Sequence, residues 1–307
     1  MVRMDHLKLA RNALLVAAFL LLAFAGACRP RAGAGSGTGS GGEQTIQNKG
    51  SDTLVNLALA WAEQYAQVRP EVIISVTGGG SGTGIAALLN GTVDLANASR
   101  ALKDEEIAGA RAAGFEPVEE TVALDAIAVV VNPANPVDAL TILQLADIFS
   151  GRVTNWREVG GEDRPIVILS RESNSGTYVY FLEEVVRQGR KGCEDLFAPT
   201  ALLMPSSEGI SAEVRQNPNA IGYDGLGYVT PDQKVLAVAP EAGAPYIRPT
   251  VETVVDGTYP IARPLYMITR GQATGAIAEY LEWIKGPEGQ AIVRDLGFVP
   301  LQASGRG

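Results

Sequence analysis

Histidine is nearly absent from this 307-residue chain: His6 is the only one, and cysteine occurs only as Cys28 and Cys193. That scarcity excludes zinc sites built from His and Cys, any catalytic triad with an imidazole base, and a disulfide scaffold. Positive charge is also short. Lys plus Arg total 25 against 34 Asp plus Glu, a net charge of -9, which argues against non-specific nucleic-acid binding. The one long apolar run, Ala13 to Ala27, stops short of the ~20 residues a membrane-spanning helix prefers. With 46% hydrophobic and 19% charged residues, the chain is neither disordered nor a polytopic membrane protein. Its length suits two domains of about 100–200 residues each.

The amino terminus carries Arg3, Lys8 and Arg11 against Asp5 ahead of the apolar run, the layout of a signal peptide over residues 1–27. The run ends Phe24-Ala25-Gly26-Ala27-Cys28. Small residues before a cysteine resemble the lipobox of a bacterial lipoprotein, with Ala25 where leucine is usual. The resemblance implies lipidation of Cys28 and a membrane anchor; an ordinary cleaved signal beside a chance cysteine is the alternative. Residues 28–43 continue as Arg29-Pro30-Arg31 and a Gly/Ser-rich run, a flexible tether. Loss of residues 1–27 removes His6, so the mature chain has no histidine, and Cys193 reads as an unpaired structural thiol.

From Thr45 onward, short β-branched runs alternate with helical stripes. Glu71–Val76, Ala126–Val131 and Pro165–Leu169 read as strands. Leu54, Leu57, Ala58, Trp61, Tyr65 and Val68 recur at the steps of one helix face. Ile85, Leu88 and Leu89 begin a second stripe, stopped by Asn90-Gly91. Tyr178, Phe181, Leu182 and Val185 form a third, and Ile277, Tyr280, Leu281 and Ile284 a fourth that ends at Gly286-Pro287. The alternation predicts an α/β fold with largely parallel sheets.

Three of these helices share the chemistry of their starts. Gly50-Ser51-Asp52-Thr53 precedes the first, Gly78-Gly79-Gly80-Ser81-Gly82-Thr83-Gly84 the second, and Arg171-Glu172-Ser173-Asn174-Ser175-Gly176-Thr177 the third. The first turn of a helix leaves about four N–H groups without partners and carries partial positive charge. Glycine admits a ligand close to the backbone, and Ser or Thr adds a hydroxyl donor. A tetrahedral oxyanion matches that arrangement. Any single such start is more often a plain N-cap; three together favour a ligand. Two other motifs fail: Ile85 stands where a nucleotide phosphate loop needs Lys, and Thr83 where a serine-hydrolase elbow needs glycine.

The segments GSDT (50–53), WAEQY (61–65), VTGGGSGTG (76–84), NASR (97–100), VVVNPANP (129–136), FSGRVTNW (149–156), RESNSGT (171–177), NPNAIGYDGLGY (217–228), GTYPIARPLY (257–266) and GPEGQAIVRDLGFVPL (286–301) resemble, in order and spacing, the phosphate-binding protein of the bacterial phosphate ABC transporter. The resemblance runs over residues 44–302. It implies a type II periplasmic-binding-protein fold, two hinged α/β lobes with mixed, mostly parallel sheets. The expected crossings lie near Val122–Ala126 and Thr258–Pro264, with lobe one at 44–122 plus 264–307 and lobe two at 123–263. The implied phosphate contacts are Ser51, Asp52 and Thr53 from the first start, Ser81, Gly82 and Thr83 from the second, and Arg171, Ser175, Gly176 and Thr177 from the third, with Arg100. Some family members place an aspartate where Arg100 stands, as acceptor for the proton of hydrogen phosphate. Asp52 and Asp125 are the candidate replacements, against plain readings as a solvent-facing N-cap and a hinge carboxylate, and Asp224 is a weaker third that reads as a turn residue.

The expected function is extracytoplasmic capture of inorganic phosphate by a monomer, without catalysis, cofactor or metal, for delivery to ABC permease subunits, in the periplasm or on the cell surface. A receptor for sulfate, a secreted phosphate-ester hydrolase and a phosphate-linked adhesin or sensor remain the alternatives. The hydrolase needs a base, metal cluster or activated nucleophile that the sequence does not supply.

Overall fold

The computed structural model describes residues 43–301. The expected signal peptide at 1–27, the expected lipidation of Cys28, and the expected tether up to residue 42 lie outside the described residues, as do residues 302–307. In chain order the strands are β1 (Gln44–Gly50), β2 (Val72–Thr77), β3 (Leu95–Ala98), β4 (Val118–Val131), β5 (Ala139–Thr141), β6 (Val167–Arg171), β7 (Leu202–Met204), β8 (Ala220–Gly225), β9 (Lys234–Val235), β10 (Ala237–Ala239) and β11 (Ala262–Thr269). The α-helices are α1 (Asp52–Val68), α2 (Ser81–Leu89), α3 (Asp104–Ala112), α4 (Ile142–Phe149), α5 (Gly176–Phe181), α6 (Ser207–Gln216), α7 (Val251–Val255), α8 (Gly275–Lys285) and α9 (Pro287–Asp295). Among the described residues no helix is long and apolar enough to cross a membrane.

The principal sheet runs β2-β1-β3-β11-β4-β8-β6-β7, with β9 also on β4, and β5 and β10 form a separate pair. Its outer ladders, β1 with β2 and β3 and β6 with β7 and β8, are parallel, as expected where helices return the chain over the sheet. Only β11 and β4, in the middle, run antiparallel to their neighbours. The mixed character therefore comes from two long strands that join two parallel blocks.

Two principal apolar cores flank that junction. The first gathers Ile46, Leu54, Leu57, Trp61, Tyr65, Val122, Leu265 and Phe298. The second gathers Ile127, Val129, Phe149, Trp156, Phe181, Tyr223 and Ile261. One strand, β4, thus feeds the first core through Val122 and Ala123 and the second through Ala126 and Ile127.

The helix stripes read from the sequence are buried as expected. Leu54, Leu57, Ala58, Trp61 and Tyr65 of α1 are all inaccessible, whereas Val68 is 52% exposed because α1 ends on it. Tyr280, Leu281 and Ile284 of α8 are buried, and Pro287 begins α9 where a helix tolerates proline. The third stripe continues past α5 as a wider π-turn over Leu182–Val186. The strand expected at 126–131 is instead the 14-residue β4. Glu119 and Glu120 interrupt its apolar alternation, so its first half becomes a strand only through the ladder with β11.

Trp61 fills the first core and donates its indole N–H to the Gly289 carbonyl at 2.9 Å, tying α1 to α9. Trp61→Ala is expected to lower unfolding free energy by about 3–5 kcal/mol in urea melts, the range for large buried aromatics.

Candidate functional site

The expected hydroxyls converge where the two cores meet. The Ser51 hydroxyl donates to Ser99 Oγ at 3.0 Å, Ser81 Oγ lies 3.3 Å from Ser99 Oγ, and the Ser99 N–H donates to Ser81 Oγ at 3.1 Å. Thr53 and Thr177 share a 2.9 Å hydroxyl–hydroxyl bond. All five of these side chains are buried. The starts of α1, α2 and α5 thus open onto one spot from three distant stretches of sequence.

Local geometry explains the convergence. Ser51 is the N-cap of α1, yet its side chain makes no capping bond and turns to Ser99 instead. Gly80, at φ +89°, is the N-cap of α2, a backbone shape that suits glycine and leaves Ser81 as first helical residue. Ser175 behaves differently. Its oxygen accepts from the Thr177 and Tyr178 N–H groups, so it caps its own helix, while the Thr177 hydroxyl reaches across to Thr53. At Gly176 the segments approach closely: a Cβ there would overlap the Ser81 and Ser99 hydroxyls.

Further bonds span the same seam. The Gly82 N–H donates to the Asn174 carbonyl at 3.0 Å, and Asn174 Nδ2 donates to the Gly79 carbonyl at 3.0 Å. Arg171 Nη2 donates to Asp52 Oδ2 at 2.7 Å, and the Tyr228 hydroxyl donates to the Asp52 carbonyl at 2.6 Å. Thr83 stays half-buried beside Gly79.

A guanidinium missed in the sequence sits among the hydroxyls. Arg263 Nη2 donates to Thr177 Oγ1 and to Asp125 Oδ2, both at 2.9 Å, and Nη1 donates to the Ser99 carbonyl at 2.9 Å. Asp125 and Arg263 are fully buried. Burial pushes the Asp125 carboxyl up, the guanidinium opposes this, and Arg263 together with the Leu226 N–H holds it as acceptor.

Four of the expected groups have other partners or surroundings here. Arg100 does not join the cluster: its guanidinium grips Glu106 through two bonds of 2.7 Å and lines, with Tyr180, Arg263 and Tyr266, a neighbouring cavity of about 470 Å³. Asp52 is neither a solvent-facing cap nor a free acceptor, since its Oδ1 holds the Gly79 N–H and its Oδ2 holds Arg171. Asp125 is committed to Arg263. Asp224, read as a turn residue, lies in β8 and is buried; desolvation pushes its carboxyl up to about 7, against the pull of Ser207 and Arg171.

Ser99 and Arg263 both stood inside segments quoted from the sequence. The available signal for Arg263 was charge: Asp125 lies at the first crossing, Arg263 at the second, and β4 and β11 place them opposite one another in register. Chemically, the cluster supplies hydroxyl donors, helix-start N–H groups and a buried cation, which suits an oxyanion. Both carboxylates in contact with it are tied to arginines. Among the described residues no group of three or more His, Cys, Asp and Glu is placed to hold a metal.

A family model described as the PBP superfamily domain matches residues 33–288. The phosphate-binding protein PstS of Pseudomonas aeruginosa is 34% identical over 275 residues, covering 84% of this chain and 83% of that protein. The PstS of Bacillus subtilis is 32% identical over 293 residues, covering 94% and 92%. The chain belongs to the PstS family of the PBP superfamily. Among solved structures, a substrate-binding protein assigned to a phosphate ABC transporter of Clostridium perfringens, determined with bound phosphate, superposes with a TM-score of 0.74 at 32% identity, over 84% of this chain and 100% of that one. An ABC-type phosphate transport receptor from Vibrio cholerae superposes with a TM-score of 0.67 at 30% identity. The fold of this PstS-family chain is accordingly the type II periplasmic-binding-protein fold, with one lobe around each principal core.

Removing one member of a buried ion pair leaves the other charged and unpaired. Asp125→Ala is expected to cost about 3–5 kcal/mol in denaturant melts, and the apolar pair Asp125→Leu with Arg263→Met to recover most of that loss.

Proposed function

We propose that this chain is an extracytoplasmic receptor that closes its two lobes on inorganic phosphate and delivers it to the permease of an ABC transporter. The observation that carries the reading is the seam itself: hydroxyls from α1, α2 and α5 meet Ser99 and the buried Arg263 guanidinium at the lobe boundary. A ligand bound there touches both lobes at once and stabilises the closed state through contacts unavailable when they part. The relatives named for phosphate supply the identity of the anion, and their naming as phosphate-binding proteins supports a receptor over an enzyme.

On this reading lobe one comprises residues 44–122 plus 264–307 and lobe two residues 123–263, with β4 and β11 as the hinge. The division of the apolar cores along β4, and of Ile261 from Leu265 around the start of β11, supports those limits. Once the signal peptide is cleaved, the lipid on Cys28 and the tether hold the receptor as a monomer at a membrane surface, in the periplasm or on the cell exterior. The support there is the sequence of residues 1–43.

Hydroxyls also suit the protonation state of the ligand. Unlike Asp52 and Asp125, which are tied to arginines, Ser and Thr oxygens both donate and accept. They can receive the proton of hydrogen phosphate, which sulfate lacks. Charge-assisted bonds contribute about 1.5–3 kcal/mol each, and micromolar affinity requires about -8 kcal/mol net. A handful of such contacts reaches that figure after desolvation losses.

Competition calorimetry tests the reading: phosphate is expected to bind, with sulfate weaker, and tighter sulfate binding overturns it. Gly176→Ala is expected to weaken phosphate by at least about tenfold (~1.4 kcal/mol) with little change in the melting temperature of the ligand-free protein, because the added methyl obstructs only the closed seam.

A further inference from the structure

Two buried guanidiniums and three carboxylates stand side by side at the lobe boundary. Arg263 is bound to Asp125. Arg171, which is 1% exposed, donates to Asp52 at 2.7 Å, to Ser207 Oγ at 3.1 Å, to the Pro205 carbonyl at 3.1 Å and to the Met204 carbonyl at 3.3 Å. Asp224 is the carboxylate left over. It is 1% exposed, its Oδ1 accepts the Gly225 N–H at 2.9 Å, and its Oδ2 has no hydrogen-bond partner.

The charged and titratable groups facing Asp224 are Arg171 from β6, Asp125 from β4 and Tyr228 from the turn after β8. From α6 comes the uncharged Ser207, while the neighbouring Glu208 accepts from Asn56 at the surface. Burial holds the Tyr228 phenol above its ordinary value, so it stays neutral. Arg171 is therefore the one cation beside Asp224 not already matched within its own lobe, and the closed structure commits it to Asp52 of the opposite lobe.

We propose that closing the lobes takes up a proton on Asp224, which makes this residue the positioning group that couples anion capture to pH. The inference rests on the phosphate-receptor reading. Arg171 and Asp224 share lobe two, so with the lobes apart they are left to each other and the carboxylate is matched. Closure brings Asp52 to Arg171 and an anion to the adjacent seam. An ionised Asp224 would then be a buried charge that shares one guanidinium with Asp52, a disfavoured arrangement. One proton from solvent, added at Oδ2, cancels that charge and turns the bare acceptor into a donor. The ionisation midpoint of Asp224 near neutrality in the closed form agrees with this. The sign follows from linkage: the closed form binds more protons than the open form, so phosphate affinity falls as pH rises through that midpoint.

Calorimetry of phosphate binding in two buffers of different ionisation enthalpy, for wild type and Asp224→Asn, counts the protons. The titration of phosphate itself is common to both proteins and drops out of the difference. Wild type is expected to take up as much as about one proton more than Asp224→Asn near neutral pH, and to lose about tenfold more affinity between about pH 6 and about pH 8. Equal proton counts in two binding-competent proteins overturn the inference and leave the receptor reading intact. No phosphate binding by wild type overturns both. A measurement on wild type alone guards against a variant that fails to fold: the infrared difference between phosphate-bound and free protein should gain a protonated-carboxyl band, and its absence also overturns the proposal.

Discussion

The ion pair between Asp125 and Arg263 governs the arrangement of everything around the site. Both residues lie on the two strands that join the lobes, opposite one another in register and closed off from water. An isolated charge in such a place is prohibitive, so each requires the other. The pair leaves the guanidinium with further N–H groups to place. One goes to the Ser99 carbonyl just past β3 and another to the Thr177 hydroxyl at the start of α5, so a single side chain ties two distant segments together. A hydrophobic pair at these positions could hold the strands together equally well. It could not put positive charge at the seam.

Around that cation the chain uses neutral groups in preference to more charge. Ser51, Ser81 and Ser99 form one hydroxyl chain and Thr53 with Thr177 another, and protons in each can reorient so that the same oxygens serve as donors or acceptors. The carboxylates and guanidiniums nearby are spent on one another. Asp52 steadies Arg171 and the Gly79 N–H, and Arg100 is occupied by Glu106.

Much of this was visible in one dimension because it depends on local periodicity. The stripe from Leu54 to Tyr65, the glycines before Ser81 and the proline that opens α9 each act within a few residues of themselves. Capping was the ambiguous case. Ser175 caps its helix while Ser51, at an equivalent position, does not, and what separates them is the presence of Ser99 just past β3, 48 residues away from Ser51. Arg100 and Arg263 illustrate the same limit for charge. Each is an arginine beside a site segment, and only the strand register and the position of Glu106 decide which one faces the hydroxyls.

The sequence by itself determined the alternation of strands and helices and the three polar helix starts, since those follow from backbone geometry and side-chain type at short range. The tertiary structure alone decided which polar groups are free. Hydrogen bonds and ion pairs are made with whatever stands opposite, and at this seam the opposite partner comes from a crossing strand or from an element more than a hundred residues distant, as with Arg171 of β6 and Asp52 of α1.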